Sequence, residues 1–318
     1  MVGTDTVIVA LGGNALQDPG SAGTYEEQRH TVDRTAEILA DLVVSDDEVV
    51  FTHGNGPQIG AILRQNLEAA DVTPPMPLYV NGAQSQGLIG YLLQSALYSE
   101  LSTRAPEVDV VPMVTPVEVA ADDPAFEDPT KPIGPYLSEA EARRLRDEQE
   151  LTLKEFPDHG YRQVVASPEP ESVYGVETVE AIVEAGDVPI VAGGGGVPVV
   201  ESESGAIEGV NAVIDKDRTA SLLGAELDAD VLVILTNVAH VALNYGEPDQ
   251  VDLEAVTAAE AREYLAEGHF ARGSMYEKVE AACRFVEADP DRRAVITDLS
   301  KAGEALAGTA GTEITSEG

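Results

Sequence analysis

A short apolar run that stops on glycine is the pattern that most constrains this chain, and it recurs. Val7, Ile8, Val9 and Ala10 lead through Leu11 into Gly12-Gly13-Asn14. Consecutive apolar residues of strand length, without polar alternation, read as a strand buried on both faces, the habit of parallel sheets under helices. Ligands of such sheets sit beyond the carboxyl ends of the strands. Glycines there let backbone N–H groups approach an anion such as a phosphate. A plain tight turn explains a single glycine pair as well. The device returns after residues 48–52, in His53-Gly54-Asn55-Gly56, and after residues 188–192, in four consecutive glycines, Gly193, Gly194, Gly195 and Gly196.

Between these runs the period changes to that of helices. Val32, Ala36, Leu39, Leu42 and Val43 mark one face of a helix over 25–44, and Pro57 suits the first turn of a helix that runs to about residue 70. Asn81 is placed to cap a long helix over 83–103 that carries Ser85-Gln86-Gly87. Further strands are expected at 108–115, 163–167, 210–214, 231–235 and 294–297, with helices near 176–185, 257–267, 275–288 and 300–307. This alternation implies an α/β fold with a mainly parallel, helix-covered sheet. Residues 118–162 break the rhythm. They are rich in Pro and Asp and contain a charged helix over 138–149, yet Phe126, Ile133, Tyr136, Leu151, Leu153 and Phe156 give them something to pack. They read as an excursion from the sheet.

The chain has 318 residues, with 57 acidic against 19 basic and a net charge of −38. Such a field argues against nucleic acid or an anionic membrane as partner. The acid is spread along the chain, as in VVSDDEVV and EADPDRR, and reads as a solvated surface adapted to high salt rather than one docking face. No apolar stretch reaches the ~20 residues of a membrane span, and the start, MVGTDT, lacks a basic segment followed by an apolar one. With the lone Cys283, which sits at an apolar helical position, the expectation is a soluble, cytoplasmic, unprocessed protein.

Only five of the 19 cations are lysines: Lys131, Lys154, Lys216, Lys278 and Lys301. Lys216 lies between Asp215 and Asp217 where a strand should meet a helix. An exposed ion pair is one explanation, worth about 0–1 kcal/mol. The strand-end position points instead to a lysine that neutralises phosphate oxygens and an aspartate that orients it. Lys278 falls in the first turn of a helix opened by Ser274-x-x-Glu277, which has the form of a capping box. A cation there opposes the helix dipole unless an incoming anion compensates it, or unless Glu277 or Glu280 pairs with it. The chain has no G-x-x-x-x-G-K-[ST] loop, no dinucleotide fingerprint after its first strand, no protein-kinase signature set and no zinc-ligand spacing.

Taken together, ALGGNAL, THGNGPQIG, SQGLIGYLLQ, EDPTKPIGPY, VVASPEP, VAGGGGVPV, VIDKDRTASLL, GHFARGSM and KVEAACRFVE resemble carbamate kinases within the amino-acid-kinase superfamily. The likeness runs in order from about Val7 to the closing AGTEI. It implies a three-layer αβα sandwich, a homodimer, and a lid formed by the 118–162 excursion. An N-terminal lobe, 1–209, would take carbamate or carbamoyl phosphate. A C-terminal lobe, 210–318, would take ATP or ADP, with Mg²⁺ held mainly by the nucleotide phosphates. The transferring lysines of the family fall on Lys131, Lys216 and Lys278, and its orienting aspartate on Asp217. The resemblance gives the acceptor side to Gly12, Gly13, Asn14, Gly54, Asn55, Gly56 and Ser85. It gives the nucleotide side to Thr236, Asn237, Val238, Tyr245, Gly273, Ser274 and Met275.

Ala10 stands where other kinases of the superfamily carry lysine, which together with Lys131 favours carbamate as acceptor. Glu277 departs from the family's usual proline, and Asn237 from the aspartate of many relatives. The implied reaction is reversible phosphoryl transfer between ATP and carbamate, making ATP in arginine fermentation through the arginine deiminase route. An acylamino-acid kinase, or a nucleotide sensor without turnover, are the alternatives on the same fold.

Overall fold

The computed structural model describes residues 4–18, 20–45, 47–149, 151–156, 160–202 and 204–317. Met1, Val2 and Gly3, on which the reading of the chain's start partly rests, lie outside the described residues. From the N-terminal end come β1 (Thr6–Leu11), α1 (Tyr25–Val43), β2 (Glu48–His53), α2 (Gly56–Glu68), α3 (Leu78–Leu101) and β3 (Val110–Pro112). β4 (Pro116–Val119) leads into the excursion, built of β5 (Lys131–Leu137), α4 (Glu139–Gln149), β6 (Leu153–Phe156) and β7 (Gly160–Val165). Then follow β8 (Pro170–Val173), α5 (Val176–Glu184), β9 (Val188–Ile190), β10 (Val197–Glu201) and β11 (Ile207–Gly209). The remainder holds α6 (Lys216–Glu226), β12 (Val231–Thr236), β13 (Val241–Leu243), β14 (Val251–Leu253), β15 (Ala255–Thr257), α7 (Ala258–Glu267), α8 (Met275–Ala288), β16 (Arg293–Asp298), α9 (Ala302–Leu306) and β17 (Thr312–Thr315).

One sheet, in the order β15-β17-β16-β12-β1-β2-β9-β3, runs through the whole molecule. Its pairs are parallel except β16 with β17. The alternation of side chains along each strand divides the core in two. Val7, Val9 and Leu11 of β1, with Val231, Val233 and Leu235 of β12, pack under α1, α3 and α9. Ile8 and Ala10, with Leu232 and Ile234, pack under α5, α6, α7 and α8. Helices therefore cover both faces, and the fold is a three-layer αβα sandwich. All five residues 7–11 are fully buried, each valine, isoleucine or leucine contributing about 1.5–3 kcal/mol. Cys283 belongs to the second of these cores, and burial pushes its thiol up to about 11.

Several local expectations are corrected. Residues 210–214 form no strand: Ala212 makes an isolated parallel bridge to Ala166, and Val210 N–H donates to the Pro198 carbonyl at 3.0 Å, so no ladder with one partner extends along the segment. The segment expected as a returning sheet strand at 163–167 is the end of β7, which pairs with β5 and β6 in a separate three-stranded sheet. The 108–115 run is broken: β3 ends at Pro112, and β4 joins a second sheet ordered β11-β10-β4-β8. Asn81 does not cap α3. The helix starts earlier, at Leu78, whose N–H is accepted by the Asn211 side chain at 3.0 Å, and Asn81 is buried inside its first turns. The remote cap was invisible to local spacing.

The excursion is a compact lid. Its sheet carries Tyr136 edge-on to Phe156 at 6.0 Å, and Ile133 joins Ile59, Leu78, Val165 and Val213 in a small core at its base. The lid rests on α2 through bare backbone. A Cβ placed on Gly60 would lie 2.4 Å from the Cα of Gly134, so only glycine permits the contact.

Candidate active site

The carboxyl ends of β1, β2 and β12 meet at the first turns of α6 and α8. Gly12 closes on β12: its N–H donates to the Leu235 carbonyl at 3.0 Å, and a Cβ there would stand 2.8 Å from that oxygen. Gly54 N–H donates to the Leu11 carbonyl at 3.0 Å. A side chain on Gly54 would meet the stem of Lys216 at 3.5 Å and the Gly13 nitrogen at 3.7 Å. The two glycine loops and Lys216 thus form one cluster.

Asp215 begins α6 as its cap, accepting from the N–H groups of Asp217 and Arg218. Its other oxygen meets Lys131 Nζ from the lid at 2.7 Å. Asp217, the next carboxylate, is buried and bridges two lysines. Lys216 Nζ donates to Oδ1, and Lys278 Nζ, from the first turn of α8, donates to Oδ2 at 2.9 Å. Burial alone would push both carboxyls up, but Lys131 more than reverses this at Asp215, and Lys216 with Lys278 at Asp217, so both are held below the ordinary range. Burial, aided by nearby Lys278, lowers the pKa of Lys216 despite its partner; for Lys278, Asp217 overcomes burial and raises it. Lys278 thus forms its ion pair with Asp217; Glu277 acts on it only through its charge at a distance. The capping box at Ser274 does not form. Ser274 has ψ −101° and makes no side-chain cap, while Glu277 Oε1 accepts from Gly273 N–H at 2.8 Å instead. A capping residue takes an extended ψ, which Ser274 lacks.

Two cavities meet at the lysines. One of about 430 Å³ is lined by Gly12, Gly13, Asn14, Thr236 and Asn237, with Thr31, Arg34 and Thr35 of α1 and Asp298, Leu299 and Ser300 after β16. The other, about 170 Å³, lies under the lid and is lined by Gly54, Asn55, Gly56, Lys131, Asp215, Asp217, Gly273 and Ser274. Lys216 and Lys278 line both. Ser85 lines neither; it is fully buried and accepts from Asn55 Nδ2 at 2.8 Å, so it sits behind the lid-side cavity. Val238, Tyr245 and Met275 line neither as well, and Tyr245 is exposed in the turn after β13. Arg34 and Asp298 escaped the sequence reading, because nothing in their local pattern marks them and only the fold brings them to the strand ends. Asp215 was seen as half of an ion pair, not as the partner of a lysine 84 residues away.

His53 closes the floor. It is buried, and its Nδ1–H donates to the Gly54 carbonyl at 2.9 Å. Burial lowers its pKa from 6.5 to about 4, so it is neutral near pH 7. Gly193 lies flat on its ring: a Cβ there would come within 2.3 Å of it. Among the described residues no group of three His, Cys, Asp or Glu side chains is arranged to hold a metal ion.

Strand ends with glycine N–H groups, a helix-borne aspartate between lysines and a lid lysine define a phosphoryl-transfer site. Residues 5–298 match the amino acid kinase family, and the chain belongs to it. Within that family it groups with the carbamate kinases. The carbamate kinase of Pyrococcus horikoshii is 46% identical over 314 residues, spanning 98% of this chain and 99% of the relative. Carbamate kinase 2 of Staphylococcus aureus is 43% identical over 312 residues, 98% of this chain and 99% of the relative. The structure of the Giardia lamblia carbamate kinase bound to AMP-PNP superposes with a TM-score of 0.89 at 39% identity, covering 99% of each chain.

Proposed function

We propose that the chain catalyses ATP + carbamate ⇌ ADP + carbamoyl phosphate, with the phosphoryl group crossing at Lys216 and Lys278. The observation that carries this reading is that those two lysines line both cavities. The larger cavity takes the nucleotide, with Thr236 and Asn237 along it and with Gly12, Gly13 and Asn14, which the resemblance gave to the acceptor side, at its terminal phosphate; Gly273 and Ser274, which the resemblance gave to the nucleotide side, line the smaller cavity instead. The smaller takes carbamate, between Gly54, Asn55, Gly56 and Lys131. A carbamate oxygen bonds to the γ-phosphorus as the bond to the β–γ bridging oxygen breaks, and that electron pair leaves on ADP. The attacking oxygen is already ionised, so no general base is needed. Catalysis is alignment plus neutralisation of the charge spread over the moving phosphoryl. Asp217 holds two of the three lysines in place, and Asp215 holds the third. Mg²⁺, if carried in by the nucleotide and held mainly by its phosphates, would add to the charge neutralisation that Lys216 and Lys278 provide. In this reading 1–209 and 210–318 are not separate acceptor and nucleotide lobes: Gly12, Gly13 and Asn14 of the first line the nucleotide side, Asp215, Asp217, Gly273 and Ser274 of the second line the acceptor side, and one continuous sheet runs through both.

The lid brings Lys131 into the acceptor cavity, and the buried strand position 10 carries Ala10 where an acylamino-acid kinase would carry lysine, which supports carbamate over an acylamino acid. A coupled assay for ATP from ADP and carbamoyl phosphate tests the function. Wild type turns over and Lys131→Ala is slowed by about two orders of magnitude; phosphorylation of N-acetylglutamate without carbamate activity, or nucleotide binding without turnover, overturns it.

The same reading makes the protein a cytoplasmic homodimer that recovers ATP from arginine breakdown. Leu88, Tyr91 and Tyr98 stand exposed at helical spacing on α3, with Val114 exposed as well, a face that supports pairing of two copies. Among the described residues no helix is long and apolar enough to cross a membrane.

A further inference from the structure

The lid leaves and rejoins the body at one knot. Asp123, just after β4, accepts from the Ala125 N–H at 2.7 Å and from the Glu169 N–H at 2.9 Å, tying the outgoing chain to the returning one. The Glu169 carboxylate then joins a closed ring of four charges. It meets Arg218 of α6 at 2.5 Å and Arg284 of α8 at 2.7 Å. Both arginines also meet Glu280 of α8, at 3.1 and 3.0 Å. Arg218 lies two residues beyond Lys216, and Glu280 two beyond Lys278. The other end of the path is equally short. Val165 is the cross-strand partner of Lys131, and Ala166 bridges Ala212, three residues before Asp215.

We propose that Glu169 is a positioning residue: its carboxylate seats the returning strand of the lid on the two helices that carry Lys216 and Lys278, and so holds Lys131 at Asp215. The inference rests on the transfer role of Lys131 given above. The ring is graded. Its inner pair, Arg218 and Glu280, is 18% and 12% exposed, whereas Glu169 and Arg284 are about two-fifths exposed. The inner contact ties α6 to α8 within the body, and the outer contacts through Glu169 are the ones that reach the lid.

The test uses Glu169→Gln, which keeps the shape and removes the charge, with Arg284→Gln as a second variant should the first fail to fold. Expected are a kcat lower by about tenfold with KM for ADP unchanged, and faster hydrogen exchange in β5 and β7. The kcat effect disappears in a Lys131→Ala background, since a residue acting through another is non-additive with it. Arg284→Lys, which keeps the charge, restores most of kcat. An equal fold-loss in both backgrounds, or exchange in β5 and β7 that does not change, overturns the proposal. Hydrogen exchange decides it even if the protein transfers no phosphoryl group, which would sink the functional reading instead.

Discussion

Lys278 Nζ stands 2.9 Å from Asp217 Oδ2 although the two residues are 61 positions apart, and this contact fixes the start of α8 against the start of α6. Asp217 also holds Lys216, so the two members of the pair are not equivalent. Asp217→Asn leaves two buried ammonium groups facing each other and is expected to cost about 3–5 kcal/mol, of order 10 °C in Tm. Lys278→Ala leaves Asp217 still paired and also removes a cation from the positive end of a helix dipole. Its Tm should stay within about 3 °C of wild type while kcat falls by about two orders of magnitude. Thermal scans of the two variants side by side check this, and equal losses of Tm would contradict it.

Gly60→Ala tests how the lid docks. The new methyl group would press on the backbone of Gly134, which has a positive φ of 69° and little freedom to retreat. The lid should lift, carrying Lys131 away from Asp215. Limited proteolysis should then cut within 131–165 several times faster than in wild type, with kcat reduced by about tenfold or more and α2 otherwise intact. Unchanged cleavage would mean that the lid does not depend on this contact.

Acid should destabilise the protein through His53. The unfolded chain binds a proton on this residue near pH 6.5, the folded chain only near pH 4. Between those values the unfolded state holds more protons, so stability falls as pH drops, by of order 3 kcal/mol in total, and this group adds no slope above about pH 7. Asp215 and Asp217, held below their ordinary range, add their losses only at lower pH. Tm measured from pH 7.5 to 4.5 should decline less steeply in His53→Gln than in wild type, even if the variant starts lower.

Salt should act in the opposite sense from its effect on most enzymes of anions. With a net charge of −38, the surface repels itself and repels ATP and carbamate. In molar KCl the Debye length shrinks to about 3 Å and both repulsions are screened. Lys216 and Lys278, only 11% and 13% exposed, keep much of their hold on phosphate. Activity and Tm should therefore rise together from low to molar KCl. Flat curves, or maxima below about 0.2 M, would remove the high-salt interpretation of the composition and leave the kinase assignment standing.

What the sequence made legible follows from where the determining forces lie. β1 and β12 carry uninterrupted apolar runs, and β2 the shorter Val49-Val50-Phe51, because they are buried on both faces, and such runs declare themselves locally. The lysines stood out because the chain has so few of them. Residues 210–214 read as apolar apart from Asn211, yet only Ala212, Val213 and Ile214 are buried, Val213 of them against Ile133 and Val165 of the lid, and the segment makes an isolated bridge instead of a ladder, a distinction that depends on a partner elsewhere. The cap of α3 comes from Asn211, and the partner of Lys131 is Asp215; neither spacing has a local signature. The second sheet was missed because its strands are three to five residues long and β4, β8 and β10 contain proline.

Cys283 is fully buried on the core face of α8 and its thiol is pushed up to about 11. At neutral pH almost none of it is thiolate, the form that reacts. The native protein is therefore a blank background for thiol chemistry, with no substitution needed to make it so. A cysteine introduced at Lys154, on the outer strand of the lid, would take a fluorophore alone. The surroundings of the lid could then be followed by light during turnover, in an otherwise unaltered enzyme.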